Sequence, residues 1–522
     1  MKKVEIKSNI YMNPLFLTDG YKLSHHKMYP EGTENVYSNF TPRSNKHAPK
    51  GIDGKSIDSI VSFGQQMAVI YIHDMFKRSF FSRRKADVLA ELEQEFSDYL
   101  GTAYDVSHFE ALHDLGYLPI IVKSLPEGDL VPMGVPVLTI ENTNKDFYWL
   151  PNYLETLLSQ LLWKPMTSAT IAFEYRKLFE FFVKKTDSKN IGFVPFMGHD
   201  FSARGLDPFT TITSGLGHLL SFTGSDSISA IKGGRKYYHQ EGVIAMGVPA
   251  SEHSVMCAGG AEDEIETFRR ILKAYPTGVV SIVSDTWDLW HVCTNILPRL
   301  KDEIMARDGK VVIRPDSGNP ADIICGFKGD CYQDEDGKWL MLEGDIEYPE
   351  TVIKGVVELL YEVFGGTTSD EGYKVLDPHI GVIYGDSITI TIAQDILERL
   401  EVKGFAATNV VLGIGSYTYQ FNTRDSFGFA MKATNVTIKG VDTPIFKDPI
   451  TDSGTKKSAK GLLCVGNDED GTYKLIDQVS RRSSEIGWLR VIYQDGIFHN
   501  TEKLEQIKNR VSTNINNYAK PA

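Results

Sequence analysis

Three aspartates, an arginine and a histidine stand where apolar runs of this sequence end. Val311-Val312-Ile313 reads as a buried strand, closed by the hard turn Pro315-Asp316-Ser317-Gly318-Asn319-Pro320. Arg314 and Asp316 are two residues apart at that junction. Extended residues i and i+2 point the same way, so a cation and a carboxylate can face one site. For a single Arg-x-Asp a plain salt bridge is the commoner reading, but the chain repeats the device. Residues 278–284 lead to Asp285, 380–384 to Gly385-Asp386, and 243–248 to Glu252-His253. Carboxylates at successive strand ends suit Mg2+, which takes one or two of them with water and substrate phosphates. Zinc is not indicated, because there is no His-Glu-x-x-His and the cysteines are scattered. His253 reads as a general base, a nucleophile or a satisfied core histidine, and for a lone histidine the last is the commonest.

The turn Gly413-Ile414-Gly415-Ser416 follows another strand and reads as a phosphate nest, its backbone N–H groups converging on an anion, or equally as a plain glycine turn without ligand. It is not a Walker A loop, since no Gly-Lys-Ser/Thr follows. Arg424, Lys432 and Lys447 offer charge-assisted contacts to phosphate oxygens, although a single surface lysine is more often only solvated. The set points to a phosphorylated substrate with Mg2+, and residue chemistry alone goes no further.

The positioning elements follow a rhythm. From about residue 190 apolar strands end in Gly, Asp, Arg or His: 194–197 before Arg204, a run before Asp226, 243–248, 278–284, 311–314, 380–384 and 409–412. Helices are expected at 287–306, 352–363 and 390–400, with a hairpin around 335–337. Asp285 and Asp316 are 31 positions apart, and Asp386 and Gly415 are 29 apart. About 30 residues is the length of a β-α unit, so an α/β class fold is expected, a parallel β/α barrel or, as rival, an open doubly wound sheet. Both place ligands at the carboxyl ends of strands. Before residue 190 the pattern is α+β: a strand at 35–40, helices at 60–76, 85–100, 148–162 and 168–185, and short strands over 119–140. After 420 come strands at 428–433, 436–439 and 461–465, a local excess of lysine, and a last helix at 501–511.

At 522 residues two domains are expected. The formal charge of -13 argues against a nucleic-acid surface, while 42% hydrophobic and 24% charged residues are ordinary for a globular protein. Five scattered cysteines do not make a disulfide scaffold. The first residues lack the apolar core of a signal peptide, and no stretch approaches the roughly 20 apolar residues of a membrane span. A cytoplasmic protein with no membrane partner is expected.

The chain resembles the nicotinamide phosphoribosyltransferases, type II phosphoribosyltransferases. The resemblance is carried in order by Asp19-Gly20-Tyr21-Lys22, His199-Asp200-Phe201 with Arg204-Gly205, Gly224-Ser225-Asp226, Glu252-His253-Ser254, and Val283-Ser284-Asp285. It continues through the run from Ile313 to Pro320, Gly385-Asp386, Thr423-Arg424-Asp425 and Phe446-Lys447-Asp448-Pro449. It implies synthesis of nicotinamide mononucleotide and pyrophosphate from nicotinamide and phosphoribosyl pyrophosphate. It also implies an irregular β/α barrel with a second α+β domain built from both chain ends, here 190–420 against 1–189 and 421–522. A homodimer with shared active sites is implied as well.

By position, the resemblance makes Phe201 and the other subunit's Tyr21 the two faces that clamp the pyridine ring, whose flat face suits stacking. Asp226 accepts from the amide and repels nicotinate. Arg204 and Arg314 line the base and ribose region, Asp316 and Asp386 hold the ribose hydroxyls or the Mg2+ shell, and Gly385 beside them is substrate-binding. Gly415, Ser416, Arg424 and Lys432 take the 5′-phosphate, while Arg43, Lys447 and Lys456 meet pyrophosphate. His253 becomes the residue phosphorylated by ATP, with Asp285 orienting its ring and sharing, through water, in the Mg2+ shell with Asp316. Two departures stand out: Ser416 replaces a usual glycine and Ala430 a phosphate-binding serine, so phosphate binding is expected to be weaker or differently shared. The rivals are a nicotinate phosphoribosyltransferase, against which Asp226 speaks, and a non-catalytic metabolite-binding or signalling protein on the same fold.

Overall fold

The strands expected to carry functional residues are parallel neighbours in one sheet. The computed structural model describes residues 12–341, 347–447 and 459–518. In chain order its two large sheets use β1 (Thr33–Thr41), β2 (Ile120–Ser124), β3 (Leu138–Asn142), β4 (Gly198–Phe201), β5 (Gly224–Ser225), β6 (Val280–Val283) and β7 (Val311–Arg314). They continue with β8 (Ile380–Tyr384), β9 (Val410–Gly415), β10 (Ala430–Ile438), β11 (Val441–Pro444), β12 (Arg490–Gln494) and β13 (Ile497–Phe498). Strands β4 to β9 form a six-stranded sheet in the order β5-β4-β9-β8-β7-β6, and every pairing in it is parallel.

The two edges of that sheet meet through residues 246–251. On one side Ser225 N–H donates to Met246 O (3.0 Å) and Met246 N–H to Thr223 O (2.8 Å). On the other, Ser251 N–H donates to Ser281 O and Ser281 N–H to Pro249 O, both at 2.9 Å. The sheet therefore curls into an irregular β/α barrel, as expected. Residues 243–248 form no regular strand, however; only Met246 and Ala250 make isolated bridges. Pro249 has no N–H for a ladder, which accounts for an irregular stave here.

Helices follow the strands because side chains at the strand exits cap them. Asp207, Asp288, Asn319 and Thr389 each accept a backbone N–H in the first turn of the helix they precede. Such a cap is worth about 1 kcal/mol. The apolar faces of strands and helices merge into one core that includes Val280, Ile282, Val311, Ile313, Val382, Leu412 and Ile414. Each such Val, Ile or Leu contributes about 1.5–3 kcal/mol by leaving water.

The other sheet is antiparallel, in the order β11-β10-β1-β3-β2-β12-β13, and joins early and late strands. Its core runs from Leu15 to Met166 and resumes from Phe427 to Tyr493. One 32-residue helix, Glu155–Thr186, serves both cores: Leu157 to Met166 pack in this one and Ile171 to Val183 in the barrel's. The sequence suggests two helices there, since Pro165 lies between them. The threonine hydroxyls of Thr167 and Thr170 instead donate to Trp163 O and Met166 O beside the proline.

Other boundaries differ locally. Residues 60–61 belong to a short strand, Ser59–Val61, before the helix Gln65–Phe76. Residues 194–197 are helical, and β4 begins only at Gly198. The two strands expected at 428–433 and 436–439 are one continuous strand, β10, from Ala430 to Ile438.

Candidate active site

The carboxyl ends of β4, β7, β8 and β9, with the turn after β5, open into one cavity of about 460 Å³. Nine of the residues singled out from sequence line it: Phe201, Arg204, Asp226, Arg314, Asp316, Gly385, Asp386, Gly415 and Ser416. Arg314 and Asp316 reach the same wall, as the two-residue spacing requires.

Two glycines set the Phe201 ring. A Cβ on Gly413 would overlap Phe201 Cδ2 and stand 2.6 Å from Cε2, and one on Gly385 would stand 3.0 Å from Cε2. The ring lies in the space those side chains would fill. Gly413, Ile414 and Gly415 are ladder residues paired with His199, Asp200 and Phe201, so the expected four-residue nest contracts to the end of β9, where Gly415 meets Ser416. The short helix Ser416–Tyr419 starts there. A Cβ on Gly205 would overlap Ser416 Cβ, which lets the 203–205 turn close against this loop.

The turn after β7 is clamped from beneath. Asp285 Oδ2 accepts from the Asp316 N–H (2.8 Å) and the Ser317 hydroxyl (2.6 Å). Asn319 caps the next helix, and the Tyr384 hydroxyl donates to Gly318 O (2.9 Å). The Asp285 side chain is 4% exposed and does not line the cavity; its Oδ1 lies 3.4 Å from His253 Nε2. His253 opens the helix His253–Gly259 with about half of its side chain exposed. It is therefore not a core histidine.

The cavity's charges are only partly paired: Arg204 lies 3.8 Å from Glu252 and Asp226 lies 2.9 Å from His199, whereas Arg314, Asp316 and Asp386 make no ion pair among the described residues. Among those residues the buried Nε of Arg314 has no hydrogen-bond partner. Burial pushes the Asp316 carboxyl up; Arg314 pulls it back, while Asp285 and Asp386 push it further. Asp386 accepts from the Ser387 hydroxyl (2.9 Å), and Ser387 has φ 54°, the left-handed region, at the cavity wall.

Tyr21, Arg43, Arg424, Lys432 and Lys447 do not line this cavity. Four of them gather beside the other sheet, of which only Lys432 sits on a strand. Lys432, on β10, lies 3.7 Å from Glu155 Oε1, and Lys22 lies 3.0 Å from Glu155 Oε2. Burial lowers the Lys432 ammonium; Glu155 opposes this, while Arg43, Lys22 and Arg424 reinforce it. Burial also lowers Arg43, with Arg424 adding to the effect. Tyr21 is 61% exposed beside this group. Lys447 is exposed just beyond β11, and Lys456 lies outside the described residues.

Three contributors escaped the sequence reading. His199 Nε2 stands 2.9 Å from Asp226 Oδ1. Glu155 joins Lys22 to Lys432 from the first turn of a helix that reads as core. Tyr417 lines the cavity and stacks on Phe421, ring centroids 5.2 Å apart. Only His199 had a signal: on an extended segment it must share a face with Phe201.

The model of the nicotinate phosphoribosyltransferase (NAPRTase) family matches residues 196–514, which include the barrel strands and all nine cavity residues. The chain belongs to the nicotinate phosphoribosyltransferase family. A second model, the N-terminal domain of nicotinamide phosphoribosyltransferase, matches residues 13–111. A relative from Acinetobacter baylyi named nicotinamide phosphoribosyltransferase is 46% identical over 517 residues, 97% of this chain and 98% of that one. A Mycoplasma pneumoniae protein of the same name is 34% identical over 470 residues, 87% and 96% of the two chains. Human nicotinic acid phosphoribosyltransferase shares the fold of this family member at TM-score 0.55 and 15% identity, over 95% of this chain and 93% of that one. A nicotinate-nucleotide pyrophosphorylase from Pyrococcus furiosus does so at 0.55 and 14%, over the full length of both. No helix among the described residues is long and apolar enough to cross a membrane.

Proposed function

We propose that this chain is a pentosyltransferase of NAD biosynthesis that moves the phosphoribosyl group of phosphoribosyl pyrophosphate onto nicotinamide. The observation that carries this reading is the convergence of Phe201, Asp226 and the unpaired Arg314 on one cavity. An aromatic face, an acceptor for amide N–H and a donor for a carbonyl or hydroxyl are what a carboxamide on a flat ring requires. The relatives named nicotinamide phosphoribosyltransferase, matched over nearly full length, support the choice of substrate.

In the reaction the pyridine nitrogen forms a bond to ribose C1 with its own lone pair, while the C1–oxygen bond breaks and pyrophosphate leaves with that bond's electrons. No general base is needed. Positioning and charge stabilisation do the catalysis. Phe201 stacks the ring, Asp226 accepts from its amide, and Arg314 donates toward amide and ribose. Arg204 lines the rim, Gly385 leaves room for the ring, and the backbone N–H groups of Gly415 and Ser416 take the 5′-phosphate.

The donors present fit Mg2+: Asp316 and Asp386 are two hard-oxygen carboxylates lining one cavity, neither with a cation within ion-pair distance among the described residues, and Mg2+ takes one or two carboxylates with water and substrate phosphates. Those two carboxylates would hold the ion, and the chemistry it would supply is charge neutralisation on a pyrophosphate leaving group. Asp285, occupied by the turn, acts from behind. The half-exposed imidazole of His253 against buried Asp285 suits a nitrogen phosphorylated by ATP, coupling its hydrolysis to turnover. Tyr21, Arg43, Arg424, Lys432, Lys447 and Lys456 complete the site from a second copy in a homodimer. Five cysteines without disulfides suit the cytoplasm.

The test is product formation from nicotinamide and from nicotinate, each with phosphoribosyl pyrophosphate and Mg2+, with and without ATP. Nicotinamide is expected to be the better substrate by a wide margin. Preference for nicotinate, or no product from either, refutes the reading.

A further inference from the structure

Asp226 does not stand in the cavity alone. On its barrel side His199 Nε2 lies 2.9 Å from Asp226 Oδ1. A carboxylate only accepts, so Nε2 carries the hydrogen and donates it. The exposures are unequal: the His199 side chain is 13% exposed and the Asp226 side chain 56%. The anchored partner is the histidine, and the carboxylate is the group held out to the cavity.

The anchoring has a visible construction. His199 and Phe201 alternate with Asp200 on β4, so imidazole and phenyl share a face, with ring centroids 4.8 Å apart. His199 pairs with Gly224 across the ladder, and a Cβ on Gly224 would come within 2.6 Å of His199 Nδ1. Glycine there is what lets the ring lie on β5 and reach Asp226. The Gly224 carbonyl is held in turn: it accepts from His218 Nε2 (3.0 Å), whose Nδ1 accepts from the Tyr419 hydroxyl (2.7 Å). Asp200 secures the same strand, accepting from the Ser225 hydroxyl (3.2 Å).

We propose that His199 is the positioning residue that sets base specificity, by holding one Asp226 oxygen so that the other meets a neutral carboxamide and refuses a carboxylate. The inference rests on the nicotinamide reading of the cavity. With Oδ1 occupied, Oδ2 is the free acceptor for an amide N–H, and its charge faces the carboxyl group of an acid analogue. Released from His199, the half-exposed carboxylate turns toward solvent. The amide then loses an oriented acceptor and the acid loses a fixed repulsive charge, so discrimination falls from both sides. The same imidazole buttresses Phe201, but a buttress alone would affect both bases equally. The ratio between the bases therefore separates the two roles.

The experiment measures kcat and KM for nicotinamide and nicotinate, at saturating phosphoribosyl pyrophosphate, in the full chain and in four variants. His199→Phe keeps a ring and removes the donor. It is expected to raise KM for nicotinamide about tenfold, the worth of one charge-assisted hydrogen bond, with kcat within about threefold. The nicotinamide-to-nicotinate ratio of kcat/KM should fall about tenfold. His199→Gln, whose amide N–H reaches the same oxygen, should recover most of the ratio. His199→Met, without ring or donor, should behave like His199→Phe and serves if that variant does not fold. Asp226→Ala separates the failures. If it collapses the ratio while His199→Phe and His199→Met leave it within twofold of the parent, the clamp is refuted and the base site stands. If Asp226→Ala also leaves the ratio unchanged, the base site itself is wrong and the clamp goes with it.

Discussion

Adding one methyl group at Gly413 should disable base binding without touching any group that reacts. An alanine Cβ there would overlap Phe201 Cδ2 and lie 2.6 Å from Cε2 and 2.7 Å from Gly385 Cα. Carbon atoms rest at about 3.5–4.0 Å, so the ring or the β9 backbone must move by on the order of 1 Å. The backbone is held by its parallel pairings with β4 and β8, which leaves the ring to yield. A misplacement of about 1 Å at a positioning surface costs roughly 100-fold in rate, and overpacking of this kind costs about 1–3 kcal/mol of stability.

Three glycines make the experiment self-controlled. Gly385→Ala brings a Cβ to 3.0 Å and 3.2 Å from the same ring, a shift of a few tenths of an ångström, and should cost about tenfold or less. Gly415→Ala meets nothing of the protein within 4 Å, so its folding should be intact. Its Cβ enters space reserved for phosphate, and KM for phosphoribosyl pyrophosphate should rise while KM for nicotinamide holds. Steady-state kinetics with each substrate varied, beside thermal melts, give the order Gly413→Ala, Gly385→Ala, Gly415→Ala for nicotinamide. A folded Gly413→Ala enzyme with kcat/KM within about twofold of the parent would remove Phe201 as the base platform.

Replacing His253 with alanine should abolish the ATP-stimulated increment of rate and the acid-labile label taken up from γ-labelled ATP; unchanged stimulation rules out the phosphohistidine. Chains carrying Tyr21→Ala and chains carrying Asp316→Ala should each be inactive, yet recover activity when co-refolded, because a mixed two-fold pair contains one intact shared site. Co-refolding without recovery would assign each site to a single chain. Glu127 supplies a pH prediction: burial pushes its carboxyl up to about 7, with the Gln66 N–H hydrogen bond opposing. The native state then holds a proton that the unfolded chain releases near pH 4.5, so this stability is fully present below that pH and is lost as pH rises through 7. The full effect is about 3 kcal/mol. Thermal melts at pH 6 and pH 8.5 should show a larger drop for the parent than for Glu127→Gln, and parallel curves would contradict the assignment.

The parallel strands were legible where β-branched residues run unbroken into a turn, as at 311–314 and 380–384. Lys85–Leu100 was legible as a helix because its apolar spacing and its closing glycine agree. Elements set by distant partners were not. Residues 243–248 have strand composition, but the chain there meets the two sheet edges only at isolated points, Met246 on one and Ala250 on the other, and a local pattern carries no sign of that. Pro165 signals a break that the helix Glu155–Thr186 does not make, because two cores pack along it. The glycine-rich turn shows the same limit within the site. Gly413 reads as part of an anion nest, whereas its lack of a side chain serves a ring from another strand.

The cavity's charges explain why such a site must be held by a rigid frame. Asp226 has His199, and Asp285 has a backbone N–H, a hydroxyl and a histidine. Arg314, Asp316 and Asp386, by contrast, have no opposite charge within ion-pair distance among the described residues, although Asp316 is pushed up by its burial and by its neighbours. Side chains free to move would close these gaps by pairing with one another, and the isolated Arg-x-Asp would become the plain salt bridge its spacing suggests. The frame prevents it. Asp285 fixes the backbone of the turn, Asn319 and Tyr384 hold its far side, and β7 directs Arg314 into the barrel mouth. The unpaired groups therefore keep their full interaction for a ligand that brings both signs, a metal-bound phosphoribosyl donor beside a polar base. Relaxing the turn, as Asp285→Asn would, should then cost more activity than stability.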